Sequence, residues 1–520
     1  MLVAASSAGP SARAQAAFCE DPRGPTSSVW VPNVTKTLGG PSGWTTPFIV
    51  QNVGTASTDI EVRFHRVGVR NPGEGLIMAC RTVTALAPGR SFADVPSNDS
   101  DLPADRQFSV LVRSFGSEVV VVVNQQAGAG DSQEADAYVG ASSGAMTVFL
   151  PNVVRRFYGF HSPIIIQSTF IGQADTTLVT ANFLSFDGTK SATITRTLCC
   201  GQSQFIEPNV EPALVDGTQY AVTLSASHPI SALLNTHRDE GVSSPVMYSV
   251  TGIASDAGAA TLYGPYAVKN VPGVGQGIST IVVQNLGTAT VTPTLTFTAL
   301  GGGASTMIGG QSTASGQSWV FDPRYIDGDT AKTLCGATAS PGCLADGEYS
   351  FVAQASGQIA AQVNVIWQAP NGDVLSAAGY TAIGRPSARL YLPNVTRTLG
   401  GPTGWTTPFL VQSPAPANVK VSWYRFSDGS LVTTQNLAIA ANTSQRIDPR
   451  GVPALADDTQ YSVTLDGNGQ RIAAIVSELN YSGGDGAMIY PGLPPFSWNG
   501  AGRGCADAPP SAPPCVTIRD

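Results

Sequence analysis

The chain has 520 residues, which is more than a single hydrophobic core normally supports, so several domains are expected. Charged residues make up 12% of the chain, the net charge is -8, and 56 Gly and 37 Pro residues make it rich in turns. This composition favours an all-β protein and argues against a nucleic-acid-binding protein, because the sequence contains no cluster of Lys and Arg that could follow a phosphate backbone.

The N-terminal segment, residues 1–27, resembles the end of a secretion signal followed by a short arm. Ala14-Gln15-Ala16 has the A-x-A pattern of a signal-peptidase site, although a basic start and a full apolar stretch are not seen. A plain unstructured N-terminus is the alternative interpretation. The even number of cysteines, eight, also fits an oxidising compartment. We therefore expect a secreted protein that is extracellular or lies on the cell surface.

One line of sequence occurs twice. Residues 31–51, "VPNVTKTLGGPSGWTTPFIVQ", and residues 392–412, "LPNVTRTLGGPTGWTTPFLVQ", are identical at 17 of 21 positions. Comparing the chain with itself shows that this line is the clearest part of a unit that occurs four times. In order, the unit has a Pro, an apolar strand ending in Gln, a Ser shortly before a second Pro, an aromatic residue that opens a strand, and an Ile/Val-rich strand. The first landmark is Pro32, Pro151, Pro265 and Pro393.

Period-two alternation marks strands between these landmarks. In "DIEVRFHRV", Ile60, Val62 and Phe64 are predicted to face a core, while Glu61 and His65 are predicted to face water. The longest aliphatic run, residues 119–123, is far too short to span a membrane and is typical of a buried strand. No membrane span is expected.

Seven or eight short strands in each unit, with turns every 8 to 14 residues, are typical of an immunoglobulin-like sandwich. We predict an all-β fold of four tandem immunoglobulin-like β-sandwich domains in an elongated array. The predicted segments are the arm (1–27), repeat 1 (28–145), repeat 2 (146–258), repeat 3 (259–386), repeat 4 (387–496) and a C-terminal tail (497–520).

Three disulfide bonds are predicted, namely Cys19–Cys80, Cys335–Cys343 and Cys505–Cys515. The second lies in an insertion peculiar to repeat 3, "CGATASPGC", where a bridge would limit the unfolded states of a long loop. The first would hold the N-terminal arm against repeat 1, and the third would close a loop in the tail. The adjacent Cys199 and Cys200 form a vicinal pair, have partners elsewhere or are free thiols.

Acidic loops supply the only metal candidates. The carboxylates concerned are Asp99, Asp101, Asp105, Asp327 and Asp329. Their oxygen atoms are ligands that calcium accepts, but Asp at these positions also serves turn geometry. Calcium binding and plain turns are therefore the two interpretations, and no cofactor is predicted.

Two tryptophans of the repeated line are ligand candidates. Trp44 and Trp405 each follow a Gly-Pro loop, where an indole could lie against a sugar ring. Because each also leads into an apolar strand, a core position is the alternative. N-glycosylation sequons begin at Asn33, Asn98, Asn394, Asn442 and Asn480.

Catalytic groups are not recognisable in the sequence. The four histidines never occur in a metal-binding or catalytic spacing. "GASSG", around Ser142, matches the nucleophile-elbow spelling, but that motif needs a strand before it and a helix after it, and here a linker follows. We predict no catalytic residue and expect that the chain is not an enzyme.

The units "LPNV…GW-T-P…VQN-GT" resemble those of tandem β-sandwich repeat proteins of bacterial cell surfaces. The resemblance covers residues 28 to about 496, although repeat 3 lacks the "LPN" and "GW" residues. It implies an extracellular location and a structural or adhesive role, as in surface layers, sheaths or filaments.

The tail, residues 497–520, could add a strand, Val516 to Ile518, to the sheet of a neighbouring copy. Contacts between unlike ends would then build a homo-polymer. We therefore expect a secreted, non-enzymatic structural subunit of an extracellular filament, sheath or surface layer. The alternative is a cell-surface adhesin or glycan-binding module.

Overall fold

The fold consists of β-strands joined by turns. The computed structural model describes residues 23–68, 77–170, 176–242, 244–273, 275–480 and 483–495. Within these ranges the helices are single 3-10 turns, at Pro96–Asn98, Gly130–Ser132, Pro208–Val210, Ile326–Gly328 and Pro449–Gly451. No helix in this part of the chain is long and apolar enough to cross a membrane. The prediction of an all-β fold is confirmed.

Repeat 1 contributes eight strands to the described residues. They are β1 (Ser27–Lys36), β2 (Phe48–Asn52), β3 (Thr58–Arg66), β4 (Ile77–Leu86), β5 (Ser91–Asp94), β6 (Arg106–Ser114), β7 (Val119–Ala127) and β8 (Glu134–Val139). These strands pair antiparallel in two sheets of four. We call β1-β6-β3-β4 the outer sheet and β5-β2-β7-β8 the inner sheet.

Repeats 2 and 3 follow the same strand order, but in each of them one long strand takes part in both the outer and the inner sheet. Repeat 2 contains β9 (Ala145–Arg155), β10 (Ile164–Ser168), β11 (Thr176–Ser185), β12 (Ser191–Cys199), β13 (Ser203–Ile206), β14 (Thr218–Arg238), β15 (Val246–Thr251) and β16 (Ile253–Ala254). Repeat 3 contains β17 (Ala259–Pro272), β18 (Gln276–Asn285), β19 (Thr294–Ala299), β20 (Ser305–Gly309), β21 (Ser318–Phe321), β22 (Gly347–Gln368) and β23 (Val374–Thr381). The outer sheets are β9-β14-β11-β12 and β17-β22-β19-β20, and the inner sheets are β13-β10-β14-β15 and β21-β18-β22-β23.

Repeat 4 matches repeat 1 strand for strand. It contains β24 (Arg389–Arg397), β25 (Phe409–Gln412), β26 (Ala417–Arg425), β27 (Leu431–Ile439), β28 (Ser444–Ile447), β29 (Thr459–Asp466), β30 (Ala473–Leu479) and β31 (Ala487–Pro491). Its outer sheet is β24-β29-β26-β27 and its inner sheet is β28-β25-β30-β31. The pairing order found in repeat 1 therefore recurs in each later repeat.

The inner sheets are buried on both faces. Residues 119–123 of β7 and all residues of β2, β10 and β25 are buried. One face of each inner sheet covers the core of its own repeat, and the other face packs against the preceding repeat. Ile165 and Leu233 of repeat 2, for example, belong to the hydrophobic cluster of repeat 1. Strands covered on both faces need apolar residues at successive positions, which explains why these strands do not alternate.

One edge strand from each inner sheet, namely β8, β15, β23 or β31, packs against the corresponding strands of two other repeats. β15 packs against β8 and β23, and β31 packs against β23 and β8. The four inner sheets thus converge on one cluster of edge strands, and the four repeats are arranged around it.

Hydrogen bonds close this arrangement into a ring. A Ser hydroxyl of one outer sheet donates to a turn carbonyl of the following repeat, as seen for Ser109 to Gly201 (2.9 Å), Ser350 to Asn442 (3.2 Å) and Ser462 to Gly89 (2.9 Å). The last of these bonds runs from repeat 4 back to repeat 1. The predicted elongated array is therefore wrong, because the first and last repeats bury a surface against each other.

The side of β3 that was predicted to face water is buried, so this prediction is wrong. Glu61 and His65 are only 1% and 3% exposed. Arg113 donates to Glu61 at 3.0 Å, and His65 lies against Gly201 of repeat 2. Ile60, Val62 and Phe64 are buried as expected. The second face of this strand is covered because the following repeat packs on it.

Candidate functional site

The residues that mark the repeat in the sequence lie where one repeat contacts the next. Ser203 Oγ of repeat 2 donates to the carbonyl oxygen of Pro32 in repeat 1 at 2.8 Å, and Ser318 Oγ of repeat 3 makes the same 2.8 Å bond to Pro151 of repeat 2. Both serines are buried. These landmarks therefore specify the contact between repeats as well as the fold of each repeat.

The Gln that ends the second strand has a similar role at two contacts. Gln167 Nε2 donates to the carbonyl oxygen of Val110 at 3.2 Å, and Gln412 Nε2 donates to that of Phe351 at 3.1 Å. Each bond joins the inner sheet of one repeat to the outer sheet of the preceding repeat. Both Gln side chains are fully buried. Their amide nitrogens therefore need a hydrogen-bond acceptor inside an otherwise apolar contact, and the preceding repeat provides it.

Asp485 joins three repeats at the centre of the ring. This fully buried carboxylate of repeat 4 accepts hydrogen bonds from the backbone N–H of Met247 (2.8 Å), the hydroxyl of Ser376 (2.6 Å) and the backbone N–H of Ala377 (3.1 Å). The two amides belong to the edge strands β15 and β23, whose backbone donors would otherwise be buried without a partner. Burial raises the pKa of Asp485 well above its usual range.

Asp136 of repeat 1 has a matching role on the opposite side of β15. Its carboxylate accepts the backbone N–H of Ser249 and is fully buried. Burial, with a smaller contribution from the nearby charge of Asp485, raises the pKa of Asp136 well above its usual range. The edge strand of repeat 2 is thus capped by carboxylates from both the first and the last repeat.

Glu478 lies at the contact that closes the ring. Its two carboxyl oxygens accept hydrogen bonds from Asn394 of the same repeat (2.7 Å) and from Asn124 of repeat 1 (3.0 Å). The side chain is fully buried, and burial raises its pKa to about 8. The Asn of the "LPNV" line is therefore a donor within the ring-closing contact.

A cleft of about 200 Å³ lies between repeats 3 and 4. Its polar residues include Glu348, Arg446 and Arg450, and its ring-bearing residues are Tyr266 and Trp367. Arg446 donates to Glu348 at 3.0 Å and its guanidinium lies 5.6 Å from the centre of the Tyr266 ring. Sequence reasoning did not find this cleft, although it did note that repeat 3 departs from the repeat pattern.

Four of the five acidic residues considered for calcium have carboxylates that contact protein groups. Asp99 pairs with Arg81 and accepts the backbone N–H of Asp101 at 2.8 Å. Asp105 accepts the N–H of Gly39 at 2.9 Å. In repeat 3, Asp327 pairs with Lys332 at 2.8 Å and Asp329 accepts the N–H of Ala331 at 3.0 Å. Among the described residues, no group of three or more His, Cys, Asp and Glu is placed to hold a metal ion.

The cysteines are paired where they can be described. Cys335 and Cys343 form the disulfide bond predicted for the insertion of repeat 3, and Cys199 and Cys200 are bonded to each other. Cys80 is also disulfide-bonded. Its predicted partner, Cys19, and the predicted pair Cys505–Cys515 lie outside the described residues, as does the tail strand.

Two of the sequons cannot carry a glycan in this fold. Asn33 and Asn394 are only 4% and 0% exposed, and their amide groups donate to Gln125 (2.7 Å) and Glu478 (2.7 Å). A glycan attached to either nitrogen would have to break these hydrogen bonds and occupy space inside the protein. Of the remaining sequons, Asn98 and Asn442 are exposed and Asn480 is half-buried.

One of the two candidate tryptophans is buried and the other is half-buried. Trp405 is only 3% exposed and belongs to a cluster that includes Ile49 and Val122 of repeat 1. Trp44 is half-buried and lies edge-on to His237 of repeat 2, with ring centres 5.5 Å apart. The core interpretation holds for Trp405, and its role as a sugar platform is excluded by burial.

Comparison with known proteins gives little information. No protein-family model matches the chain, and no curated protein matches it either. Among solved structures, Thermotoga maritima 1070 is 17% identical over 21% of this chain and 95% of its own, with a TM-score of 0.19. The chicken CNTN1 FN1-FN3 domains are 11% identical over 63% and 98% of the two chains (TM-score 0.09). A glycoside hydrolase family 32 protein from Bifidobacterium adolescentis is 11% identical over 91% and 96% (TM-score 0.12). These scores are too low to assign a fold or a function.

Proposed function

We propose that the chain is a secreted, non-enzymatic structural protein, a subunit of an extracellular filament, sheath or surface layer. In this proposal each repeat is an immunoglobulin-like sandwich, and the ring of four sandwiches is the building block. The disulfide bonds at Cys335–Cys343 and Cys199–Cys200 support an oxidising location. The buried carboxylates support a structural role, because the groups that contact them are backbone amides, amides of Asn and hydroxyls.

The observation that carries the proposal is that the outer sheets have strand edges without a neighbouring strand in the described residues. β12, β20 and β27 each pair with a single strand within the described residues. Soluble proteins usually protect such edges with Lys, Pro or bulges, but β27 contains no charged residue and its Leu431 is 57% exposed. Unprotected edges of this kind favour pairing with a strand of another copy.

The ring changes how assembly would occur. Head-to-tail contact between the first repeat of one copy and the last repeat of another would have to compete with the contact that already exists inside the chain. A heterologous contact whose rotation closes makes a ring and not an open filament. Growth through the outer edges avoids this competition, and the terminal tails would add to it.

Lysine on the outer edges should prevent assembly. We expect Thr195→Lys in β12 combined with Thr434→Lys in β27 to shift the protein toward single rings, because both residues are exposed on free edges. Asn182→Lys is the matched control, since Asn182 is exposed but lies in β11, which is paired on both sides. Sedimentation velocity at rising concentration and negative-stain microscopy would measure the effect.

Strictly single particles of the native protein at high concentration would contradict the proposal. So would equal assembly of the double variant and of the native protein. Loss of assembly in the Asn182→Lys control as well would mean that added charge, and not edge pairing, is responsible, and would also count against it.

A further inference from the structure

The contact between repeats 3 and 4 differs from the other three contacts in its polar pair. In repeats 2 and 4 the Gln before the aromatic landmark donates to the Asn after the first Pro, as in Gln219 to Asn152 (3.0 Å) and Gln460 to Asn394 (2.6 Å). Repeat 1 has the same pair, Gln107 and Asn33. In repeat 3 the two positions are Glu348 and Tyr266, and the phenol donates to the carboxylate at 3.1 Å.

The residue that faces this pair from the next repeat has changed as well. At the other three contacts the position is apolar, occupied by Phe205, Val320 and Ala93. At the contact between repeats 3 and 4 it is Arg446, which pairs with Glu348 and lies over the Tyr266 ring. Three positions from two repeats thus differ together, which turns a neutral contact into a charged and aromatic one.

Repeat 3 also lacks the aromatic residue that the other repeats have in the loop before the second strand, and has a tryptophan on the neighbouring strand. Repeats 1, 2 and 4 have Trp44, Phe160 and Trp405 before the second strand, whereas repeat 3 has Gly277. Its partner across the strand pair is Trp367. A Cβ at position 277 would lie 3.2 Å from Trp367 Nε1 and 3.2 Å from Val268 Cγ1, so the glycine provides the space that this indole needs. Trp367 is half-buried and lines the cleft.

We propose that this cleft binds a neutral saccharide ring. Each arginine of the lining is paired with a carboxylate, Arg446 with Glu348 and Arg450 with Asp448, so the cleft offers no excess charge to an ionic ligand. Fixed guanidinium donors and carboxylate acceptors match hydroxyl groups, which both donate and accept. The Trp367 ring supplies an apolar face for the C–H groups of a sugar.

The size of the cleft limits the ligand. A volume of about 200 Å³ is below the range of roughly 300–1,000 Å³ that is usual for drug-sized ligands, so it accommodates a single ring. The ring is either a free monosaccharide or the end of a glycan chain, because both present the same hydroxyls and the same apolar face. This proposal does not depend on assembly through the outer strands.

Calorimetric titration of the full chain tests the proposal. The probes are methyl glucoside, methyl galactoside and methyl mannoside as single rings, the corresponding linear trisaccharides as chain ends, and glucuronate and glucosamine as charged rings. We expect at least one neutral probe to bind with a Kd of about 1 mM or below, and the charged rings to bind more weakly. Tighter binding of the trisaccharide than of its single ring would identify a chain end as the ligand, and equal binding would identify a free sugar.

A variant that carries the residues found at the other contacts is expected to fold. A loss of binding in this variant would therefore not result from unfolding. Tyr266→Asn and Glu348→Gln in repeat 3, together with Arg446→Val in repeat 4, give this contact the kinds of residue found at the other contacts, and this triple variant should fold and lose at least tenfold in affinity. Phe205→Val, at the contact between repeats 1 and 2, is the matched control and should bind as the native chain does. Absence of binding to every neutral probe, tighter binding of a charged ring, or full affinity in the triple variant would overturn the proposal.

Discussion

Glu478→Gln is expected to stabilise the protein at pH 8 by about 3–5 kcal/mol and to have little effect at pH 5. Glu478 is fully buried at the contact between repeats 4 and 1, where burial raises its pKa to about 8. Gln can keep both contacts. Its carbonyl oxygen accepts from Asn394, and its amide can donate to Asn124 Oδ1, which has no other partner in the described part of the chain.

The sign follows from the pKa of Glu478 in the two states. Below its ordinary value of 4.5, the carboxyl group is protonated in both the folded and the unfolded chain, and its stabilising contribution is complete. As the pH rises from 4.5 to about 8, the unfolded chain loses this proton while the folded chain retains it. The free energy of unfolding therefore falls by about 1.4 kcal/mol per pH unit over this range, and Gln removes that dependence.

Gln125→Glu is the reciprocal control. Gln125 occupies the same position in repeat 1, where its carbonyl oxygen accepts from Asn33 at 2.7 Å, just as Glu478 accepts from Asn394. The substitution should introduce a loss of stability at pH 8 that is absent at pH 5. Urea denaturation at both pH values measures both variants. Parallel pH profiles for the native chain and Glu478→Gln would contradict the assignment.

Asp485→Ala is expected to lower the free energy of unfolding by about 3–5 kcal/mol, because it leaves three buried donors without an acceptor. Two of these donors are backbone amides of Met247 and Ala377, in edge strands that cannot pair elsewhere. Asp485→Asn keeps one acceptor oxygen and should lose less. Urea denaturation at pH 6 measures all three proteins.

Asp256→Ala provides the control for Asp485. Asp256 pairs with Arg385 on the surface, where the side chains are 73% and 61% exposed, and such pairs contribute about 1 kcal/mol or less. A loss for Asp485→Ala no larger than the loss for Asp256→Ala would show that the central contacts between repeats do not hold the ring together.

The strands and their repetition could be predicted because they depend on local patterns. Period-two alternation placed Ile60, Val62 and Phe64 in the core, and the aliphatic run 119–123 indicated a buried strand. The ring could not be predicted in the same way, since alternation reports only that a face is apolar. The useful signal was the absence of alternation in "FIVQ" and "IIIQ", which indicates burial on both faces and therefore a second packed surface.

The central carboxylates were missed for a related reason. These carboxylates, of Asp136, Glu478 and Asp485, lie in or beside strands. A single acidic residue at such a position is usually predicted to face water. Glu478 in "IAAIVSELN" could have been noticed, because the residues before it are apolar at successive positions. Each of these carboxylates accepts a hydrogen bond from another repeat, from a residue more than 100 positions away, and no local pattern contains that information.

Closure of the four repeats into a ring is tested most directly by small-angle X-ray scattering of the full chain in solution. A compact ring of 520 residues should give a radius of gyration of about 24 Å, slightly increased by the terminal segments. Four sandwiches end to end would give roughly 40 Å or more, because each strand of ten residues alone spans about 33 Å. A value near 24 Å supports the ring, and a value of 40 Å would contradict it.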